Sequence, residues 1–359
     1  MNSSPVQARG KRLFWLLLAF LFLLLLVFSG LTVLAHRSST PEPVNGGGVP
    51  PQVRATTPTT TPALVGLRVV GNHFEDASGR RVVLRGASRW SLEFACRGDG
   101  HFALADFQAM RSWGMNAVRI PLNSSYWLHG DSDGDCPADY YHQTVARAVQ
   151  HAEQAGLYVI LVGQWSREHS NPQMAEPGDE LFWEQLASIY GGDTRVGFVP
   201  VTEPHMVSWD EWANGWNGGP GMRRLVSILR AHSQNIIFVN GLSYALDLSF
   251  LNTAYAISGP NIAYELHIYQ HWQSETEADP YIGRYAVVAG EFGLNDCCHD
   301  YVSEVMSYFE QHQTGYFAWA WAEGAHRALL MPDGWDGTPS QLGDRVRRFM
   351  LAHGNATFL

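Results

Sequence analysis

The sequence is poor in positive charge. Its 359 residues include 24 Lys and Arg against 34 Asp and Glu, a formal net charge of −10 at pH 7, and Lys11 is the one lysine. Proteins that bind nucleic acid neutralise its phosphates with clustered basic side chains. The charge balance therefore argues against a nucleic-acid partner and gives no support for an anionic polymer as substrate.

Complete sequence patterns that hold metal ions or phosphate cofactors are also missing. Asp131-Ser132-Asp133-Gly134-Asp135 resembles the start of a calcium loop, but the later Gly and Glu positions are not matched, which favours an acidic surface turn. The chain has four cysteines, and their spacing to the histidines is not that of a zinc site. No Gly-rich phosphate-binding loop follows the first apolar strand of the globular region. We therefore expect neither a metal ion nor a cofactor.

The first residues of the chain have the character of a membrane segment. Residues 1–12 are polar and carry three basic side chains, and Leu13–Ala35 contains no charge. As a helix this second stretch would be about 35 Å long, enough to span a bilayer. We interpret 13–35 as a transmembrane signal anchor with 1–12 in the cytoplasm. A cleaved signal peptide is the alternative, because Val33-Leu34-Ala35 resembles a cleavage site.

A linker and one globular domain follow. Residues 36–63 are rich in Pro, Thr and Gly and contain too few apolar side chains to form a core. Residues 64–359 have globular composition without another linker. We expect this domain outside the cell, on a single-pass membrane protein, or secreted if the chain is cleaved after Ala35.

The globular region alternates short apolar strands with helical stretches. A β-hairpin is predicted first, from Leu67–Asn72, a turn at Asp76–Gly79, and Val82–Leu84. The predicted strands are then Leu84–Ala87, Ala117–Pro121, Leu157–Val162, Val196–Val201, Ile236–Val239, Ile262–Leu266, Ala286–Ala289 and Tyr316–Trp321. The predicted helices are Phe102–Trp113, Tyr140–Gln154, Glu180–Tyr190, Met222–His232, Tyr301–Gln311 and Gln341–Leu351. Eight strands alternating with helices predict an α/β fold, a (β/α)8 TIM barrel, with a doubly wound open sheet as the alternative.

Two glutamates stand at the ends of predicted strands. Glu203 follows an apolar run and precedes Pro204, and Glu291 follows the run Tyr285–Gly290. The carboxyl ends of parallel barrel strands meet on one face, so both carboxylates can line one cavity. Such a pair, one acting as general acid/base and the other as nucleophile, is the equipment of a glycosidase.

Other polar and aromatic residues also end strands. The sequence contains 13 Trp, 14 Tyr and 17 Phe, which suits a large core or a groove that binds carbohydrate. The strand-end candidates for substrate binding are Arg119, Gln164, Thr202, His267, Tyr269, Trp319 and Trp321.

Several short motifs occur in the order found in one large enzyme family. They are Leu84-Arg85-Gly86, Val118-Arg119-Ile120-Pro121, Glu203-Pro204-His205, His267-Ile268-Tyr269, Gly290-Glu291-Phe292-Gly293 and the closing tryptophans. On these motifs, the region from Leu64 to His353 resembles glycoside hydrolase family 5, the cellulase-type retaining glycosidases of the (β/α)8 clan.

This resemblance implies an activity. It implies hydrolysis of O-glycosidic bonds in a β-linked polysaccharide or oligosaccharide, most closely a β-glucan, as by a cellulase or endoglucanase. A mannan-active or exo-acting β-glycosidase of the same family is the nearest alternative. A non-hydrolytic carbohydrate-binding protein at the cell surface is the alternative from another class. We expect the protein to act as a monomer.

The resemblance also implies residue roles. Glu203 would be the acid/base and would hold a proton at the start of the reaction, whereas Glu291 would be the ionised nucleophile. Arg119 is the expected charge partner that keeps Glu291 ionised. Retaining chemistry requires the two carboxyls about 5–5.5 Å apart, although they lie far apart in the sequence.

Four further side chains would complete the site by the same resemblance. Tyr269 would donate a hydrogen bond to the nucleophile, and His267 would contact either substrate or Glu203. Trp319 or Trp321 would stack on the sugar at the cleavage point, and the preference falls on Trp321.

The sequence departs from the family pattern at two strand ends. Thr202 stands where the family has an Asn that binds the sugar 2-hydroxyl, a contact that strengthens in the transition state. Val162 and Gln164 stand where the family often has an Asp-x-His element, and Gln cannot carry charge or a proton. These changes are compatible with a different sugar-binding mode, with slow hydrolysis, or with loss of turnover.

The cysteines fall into two pairs. Cys96 and Cys136 lie in loops after the first and second predicted strands, so they share one barrel face and are predicted to form a disulfide. Cys297 and Cys298 are adjacent, and the sequence leaves open whether they form a vicinal disulfide or stay reduced.

Overall fold

The computed structural model describes residues 64–167, 172–269, 274–293, 300–323 and 338–354. The predicted transmembrane segment 13–35, the linker 36–63, and Cys297 and Cys298 lie outside these residues. Within the described ranges, no helix is both long enough and apolar enough to cross a bilayer.

Eight parallel strands close into a barrel. The strands are β1 Leu84–Arg89, β2 Ala117–Asn123, β3 Tyr158–Trp165, β4 Val196–Val199, β5 Ile237–Asn240, β6 Ile262–Tyr269, β7 Val287–Gly293 and β8 Gly315–Trp321. Each pairs with its neighbour along the chain, and β8 pairs with β1 through Gly315 and Leu84. The predicted barrel is therefore confirmed, and the open-sheet alternative is wrong because the last strand returns to the first.

Helices surround the barrel. They are α1 Leu104–Ser112, α2 Ser124–His129, α3 Ala138–Gln154, α4 Asp179–Tyr190, α5 Trp209–Asn214, α6 Met222–His232, α7 Asp279–Ile282, α8 Asp300–Gln311 and α9 Gln341–His353. All six predicted helices are present. The four-residue α7 was not predicted, and neither were the short helices α2 and α5, because six residues or fewer are too few to show an amphipathic period.

Local capping explains where these two short helices begin. The Asn123 side chain accepts the backbone N–H groups of Ser125 and Tyr126 at the start of α2. Ser208 and Glu211 form a reciprocal capping box at the start of α5. Both signals satisfy backbone donors that a helix N-terminus leaves unpaired.

Smaller elements complete the described fold. Gly215–Trp216 and Gly219–Pro220 form a two-stranded ribbon, and Ser249–Asn252 and Glu275–Ala278 are short 3₁₀ helices.

A small antiparallel sheet precedes the barrel. Its strands are Leu67–Val70, His73–Asp76 and Arg81–Val82. One hairpin was predicted, but a turn at Gly71, whose φ of 59° suits glycine, ends the first strand at Val70, and His73–Asp76 adds a strand that was not predicted. The Phe74 ring lies 5.9 Å from the Phe238 ring and belongs to the cluster that fills the barrel. The sheet therefore covers the amino end of the barrel.

Side-chain alternation along the strands separates two cores. On β3, Ile160 and Val162 belong to the cluster inside the barrel, whereas Val159 and Leu161 belong to the cluster under the helices. This is the two-residue period of a strand buried on both faces. A register shift against β2 at Gln164 interrupts this alternation at the carboxyl end of β3, where the candidate site lies.

Candidate active site

Glu291 is held by donors from two other strands. It lies on β7 and is 3% exposed. Nη1 of Arg119, on β2, donates to its Oε1 at 2.9 Å, and Oη of Tyr269, on β6, donates to its Oε2 at 2.9 Å. Both carboxylate oxygens are therefore fixed in direction.

Glu203 lies on a turn that follows β4. Its φ of 51° is in the left-handed region, which a non-glycine residue adopts only where the surroundings hold it. Nδ1 of His205 lies 2.8 Å from the Glu203 carbonyl oxygen, and Nδ1 of His267 lies 2.8 Å from Oε1 of Glu203. The side chain is 23% exposed and so remains open to a ligand.

The two carboxylates meet around His267. An oxygen of Glu203, an oxygen of Glu291 and a ring nitrogen of His267 all lie within 4.8 Å of one another. Nδ1 of His267 is 3.4 Å from Oε2 of Glu291. This spacing suits a direct attack on a sugar by one carboxylate, since inverting enzymes separate their carboxyls by about 6.5–9.5 Å to admit a water.

The charges of this cluster depend on one another. Burial alone would lower the pKa of His267, but the charge of Glu291, the hydrogen bond to Glu203 and the carboxylate of Glu265 3.6 Å away outweigh it and raise this pKa to about 10. His267 is therefore an imidazolium at neutral pH. A doubly protonated imidazole has no lone pair to offer a metal ion.

Burial acts on Glu291 as well. Desolvation raises the pKa of Glu291, and the positive charges of His267 and Arg119 offset that effect only in part. Arg119 was expected to keep Glu291 ionised. It does favour the ionised form, but the structure shows that the guanidinium must work together with His267 against burial.

The two closing tryptophans have different surroundings. Trp319 is half-buried and stacks on Trp90, with ring centroids 6.1 Å apart. Trp321 is fully buried, packs edge-on against Trp113, and donates from Nε1 to Asp106 at 2.8 Å. A fully buried indole has no free face for a sugar, so the preference for Trp321 was wrong, and Trp319 is the candidate platform.

Thr202 and Gln164 carry polar atoms without partners. Thr202 is fully buried, and Gln164 is 8% exposed. Oγ1 of Thr202 and Oε1 of Gln164 have no hydrogen-bond partner among the described residues. The strand ends where the sequence departs from the family pattern are therefore also where buried polar atoms are left unpaired.

Sequence reasoning missed two buried glutamates. Glu265, on β6, is 1% exposed and bonds to Asn240 and Arg119. It lies two residues before His267 on the strand, so both side chains face the same side of the sheet, a signal that could have identified it. Glu93, in the loop after β1, is 2% exposed and accepts the N–H of Ser91. Burial, opposed by backbone hydrogen bonds, raises the pKa of Glu93 to about 8.

An exposed tyrosine beside Glu203 was also missed. Tyr244 is 42% exposed, and its ring stacks on His205 at 4.2 Å with planes 13° apart. Its N–H donates to the carbonyl of Pro204. Ser243, Tyr244 and Ala245 all have φ near 60°, a left-handed run that no sequence pattern announces. The strained backbone holds an aromatic ring at the rim of the site.

The loop after β1 is tied to the next loop. A disulfide joins Cys96 and Cys136, as the sequence predicts. Arg89, fully buried, pairs with Asp99 and Asp106 beneath the same loop. These contacts fix the segment that carries Trp90 and Glu93.

Fold and site together define a class of protein. A (β/α)8 barrel with two carboxylates at the ends of β4 and β7, close together and flanked by exposed aromatic rings, is the architecture of a retaining glycosidase. A family model described as Cellulase (glycosyl hydrolase family 5) matches residues 76–325. The chain belongs to glycosyl hydrolase family 5, for which the two-carboxylate retaining mechanism is characteristic.

Curated relatives carry related names at low identity. An endoglucanase of Clostridium saccharobutylicum is 24% identical over 246 residues, which cover 64% of this chain and 50% of that protein. A beta-mannanase/endoglucanase A of Caldicellulosiruptor saccharolyticus is 23% identical over 254 residues, or 64% of this chain and 18% of that protein. The chain thus spans half or less of the length of these two relatives.

Solved structures share the fold. A beta-glucanase of Saccharophagus degradans in complex with cellotetraose superposes with a TM-score of 0.65 at 19% identity, covering 84% of this chain and 98% of that chain. An endoglucanase catalytic domain of Thermobifida fusca, also with cellotetraose, gives a TM-score of 0.60 at 15% identity, covering 80% and 97%.

Proposed function

We propose that the protein is a retaining glycoside hydrolase that cleaves a β-linked glucan, in the manner of an endoglucanase. The observation that carries this proposal is the placement of Glu203 and Glu291 within 4.8 Å around His267. Glu291 is the buried carboxylate that accepts hydrogen bonds on both oxygens, and Glu203 is the carboxylate more exposed to solvent. These surroundings support Glu291 as nucleophile and Glu203 as acid/base.

The reaction would proceed in two steps. Glu291 attacks the anomeric carbon while Glu203 gives its proton to the departing oxygen, which leaves a glycosyl ester on Glu291 and a free sugar hydroxyl. Glu203, now ionised, then takes a proton from water, and the water oxygen displaces Glu291. Arg119 and Tyr269 hold the two oxygens of Glu291 through both steps.

The choice of β-glucan has support from the relatives. The two curated relatives and the two solved structures are all named endoglucanase or beta-glucanase, and the two structures contain cellotetraose. A mannan is the alternative substrate, because one relative is also named beta-mannanase. Trp319, half-buried and stacked on Trp90, would support the sugar at the cleavage point.

Thr202 and Gln164 favour a second candidate, a carbohydrate-binding protein with little turnover. The family Asn at the Thr202 position would bind the sugar 2-hydroxyl, and a fully buried Thr202 offers no equivalent contact. Losing that contact would remove several kcal/mol of transition-state stabilisation.

Turnover by the full chain on a panel of β-glucans and mannans tests both candidates. Hydrolysis that is abolished in Glu291→Ala, with retention of anomeric configuration in the first product, supports the enzyme. Binding without hydrolysis supports the second candidate, more so if Thr202→Asn then gains activity. Neither binding nor hydrolysis on any member would overturn both.

We also propose that the domain acts outside the cell as a monomer, anchored through residues 13–35. The uncharged N-terminal run and the Cys96–Cys136 disulfide support export, since disulfides persist in oxidising compartments. Membrane fractionation with external protease tests the anchor, and light scattering of the detergent-solubilised chain tests the monomer. A soluble product starting after Ala35 would instead indicate cleavage.

A further inference from the structure

The carboxylate of Glu265 is buried next to the catalytic pair. Glu265 lies two residues before His267 on β6 and is 1% exposed. Its Oε1 accepts Nδ2 of Asn240 at 2.9 Å and Nη2 of Arg119 at 3.3 Å, and it lies 3.6 Å from Nε2 of His267. Glu265 thus faces the two cations that also face Glu291.

The backbone next to the nucleophile makes room for this carboxylate. A Cβ at Gly290 would lie 2.6 Å from Oε2 of Glu265, closer than real Cβ contacts. Gly290 immediately precedes Glu291, so the packing of Glu265 and the position of Glu291 depend on the same stretch of β7. A side chain at this position would displace one of the two glutamates.

The carboxyls and the cations around Glu291 do not balance in charge. Among the described residues that make up this cluster, three carboxyls, those of Glu203, Glu265 and Glu291, face two cations, Arg119 and His267. With all five ionised the sum is three negative and two positive charges, a net −1. One proton brings a buried cluster to neutrality, which is the state that burial favours.

The groups around Glu265 keep its carboxylate ionised. Burial opposes ionisation, but the charge of Arg119, the imidazolium of His267 3.6 Å away and the hydrogen bond from Asn240 together lower the pKa of Glu265. The other charged groups that meet these partners are Glu291 on β7 and Glu203 after β4, while Tyr269 contributes a neutral hydroxyl. Glu93, in the loop after β1, interacts with Glu291 but keeps its own proton up to a pKa of about 8. The remaining proton therefore belongs to Glu203 and Glu291.

We propose that Glu265 is a positioning residue whose fixed negative charge holds Arg119 and His267 in place and keeps one proton on the Glu203–Glu291 pair. It does not touch the sugar. The inference rests on the proposed function, because that shared proton is the one Glu203 would donate to the leaving group.

The test is Glu265→Gln, which keeps the shape of the side chain and removes its charge. Loss of a negative neighbour favours the ionised form of the remaining carboxyls, so we expect both limbs of the kcat/KM pH profile to move to lower pH by about one unit. Glu265→Asp, which restores the charge, should return both limbs toward their original positions. Asn240→Ala removes one hydrogen bond to the same oxygen but keeps the charge of Glu265, so it should move the limbs less than Glu265→Gln does.

A second readout needs no substrate. The full chain with labelled histidine is titrated by NMR, and the imidazolium of His267 should lose its proton about one pH unit earlier in Glu265→Gln than in the native chain. This measurement stands even if the protein hydrolyses none of the panel, so failure of the proposed function is separable from failure of this inference. An unmoved His267 titration in a folded Glu265→Gln variant, or unmoved limbs in an active one, would overturn the proposal.

Discussion

Oη of Tyr269 donates a 2.9 Å hydrogen bond to Oε2 of Glu291. A donor of this kind stabilises the ionised carboxylate, so its removal raises the carboxyl pKa. For Tyr269→Phe we expect the acidic limb of the kcat/KM pH profile to move to higher pH by about one unit, since a hydrogen bond to a charged group contributes roughly 1.5–3 kcal/mol.

Tyr264→Phe is the matched control for this prediction. Tyr264 lies on the same strand, but its hydroxyl donates to the carbonyl of Ile257, away from the carboxylates. It should change stability and leave the acidic limb in place. A limb that stays put in Tyr269→Phe, or moves equally in both variants, contradicts the role given to Tyr269.

The raised pKa of Glu93 predicts that the stability of the protein depends on pH. Its folded pKa of about 8 lies above the ordinary 4.5. The stabilisation linked to its proton is therefore fully present below pH 4.5 and is lost as the pH rises to 8. Glu93→Gln has no proton to lose. We expect the native chain to lose stability relative to this variant between pH 5 and 8, by roughly 1.4 kcal/mol for every pH unit in that range.

Thermal unfolding of both chains at a series of pH values measures this difference. Glu184→Gln, at an exposed position on α4, controls for the general loss of a carboxylate. If the native and Glu93→Gln curves run parallel from pH 5 to 8, Glu93 is ionised in the folded protein and the prediction fails.

The unpaired hydroxyl of Thr202 predicts that its removal stabilises the protein. Its buried hydroxyl has no partner among the described residues, and such a group costs roughly 1–3 kcal/mol. Valine has the same shape without the hydroxyl, so Thr202→Val should raise the free energy of unfolding by about 1 kcal/mol.

Thr144 provides the comparison for Thr202. It is also buried, but its hydroxyl donates to the carbonyl of Tyr140. Thr144→Val should therefore destabilise the protein. Denaturant unfolding of the two variants gives the comparison, and an equal loss in both would mean that the Thr202 hydroxyl is paired in solution.

Tyr244 predicts a preference for substrates with an extended leaving group. In the closed ring, the ends of β4 and β5 lie opposite those of β8 and β1. Tyr244 lies beside Glu203, the proposed proton donor, on the side opposite Trp319. A stacked ring contributes roughly 0.5–1.5 kcal/mol. Tyr244→Ala should therefore lower kcat/KM on long oligosaccharides by roughly 2- to 12-fold.

Short substrates and a conservative variant sharpen this test. An aryl glycoside with the same sugar on the other side of the bond should be cleaved equally by the native chain and Tyr244→Ala, and Tyr244→Phe should keep the native rate on both. An equal fall on long and short substrates would show that Tyr244 holds Glu203 and does not bind sugar.

The alternation of side chains along a strand explains which site residues the sequence predicted correctly and why it failed at Trp321. The strand-end rule brought Arg119, His267 and Tyr269 to one face because parallel barrel strands share a direction. It failed at Trp321 because the register of β8 against β1 shifts between Ala318 and Trp321. That shift turns Trp321 toward the helices, and no local pattern signals it.

The features that sequence reasoning missed depend on contacts between distant residues. The left-handed run at Tyr244 is held by Pro204 and His205, about forty residues earlier. The charge of Glu265 is set by Arg119, which lies 146 residues away in the sequence. Neighbours so far apart become predictable only once the barrel is closed.

The small sheet at the amino end of the barrel has a consequence for the second half of the reaction. Phe74 and the apolar side chains above it fill the barrel axis beneath Glu291. The attacking water must therefore arrive from the same face as the sugar, through the space that the departing half of the substrate vacates. Release of the first product would thus govern when the glycosyl ester is hydrolysed, and a slow-leaving sugar would promote transfer to another sugar in place of hydrolysis.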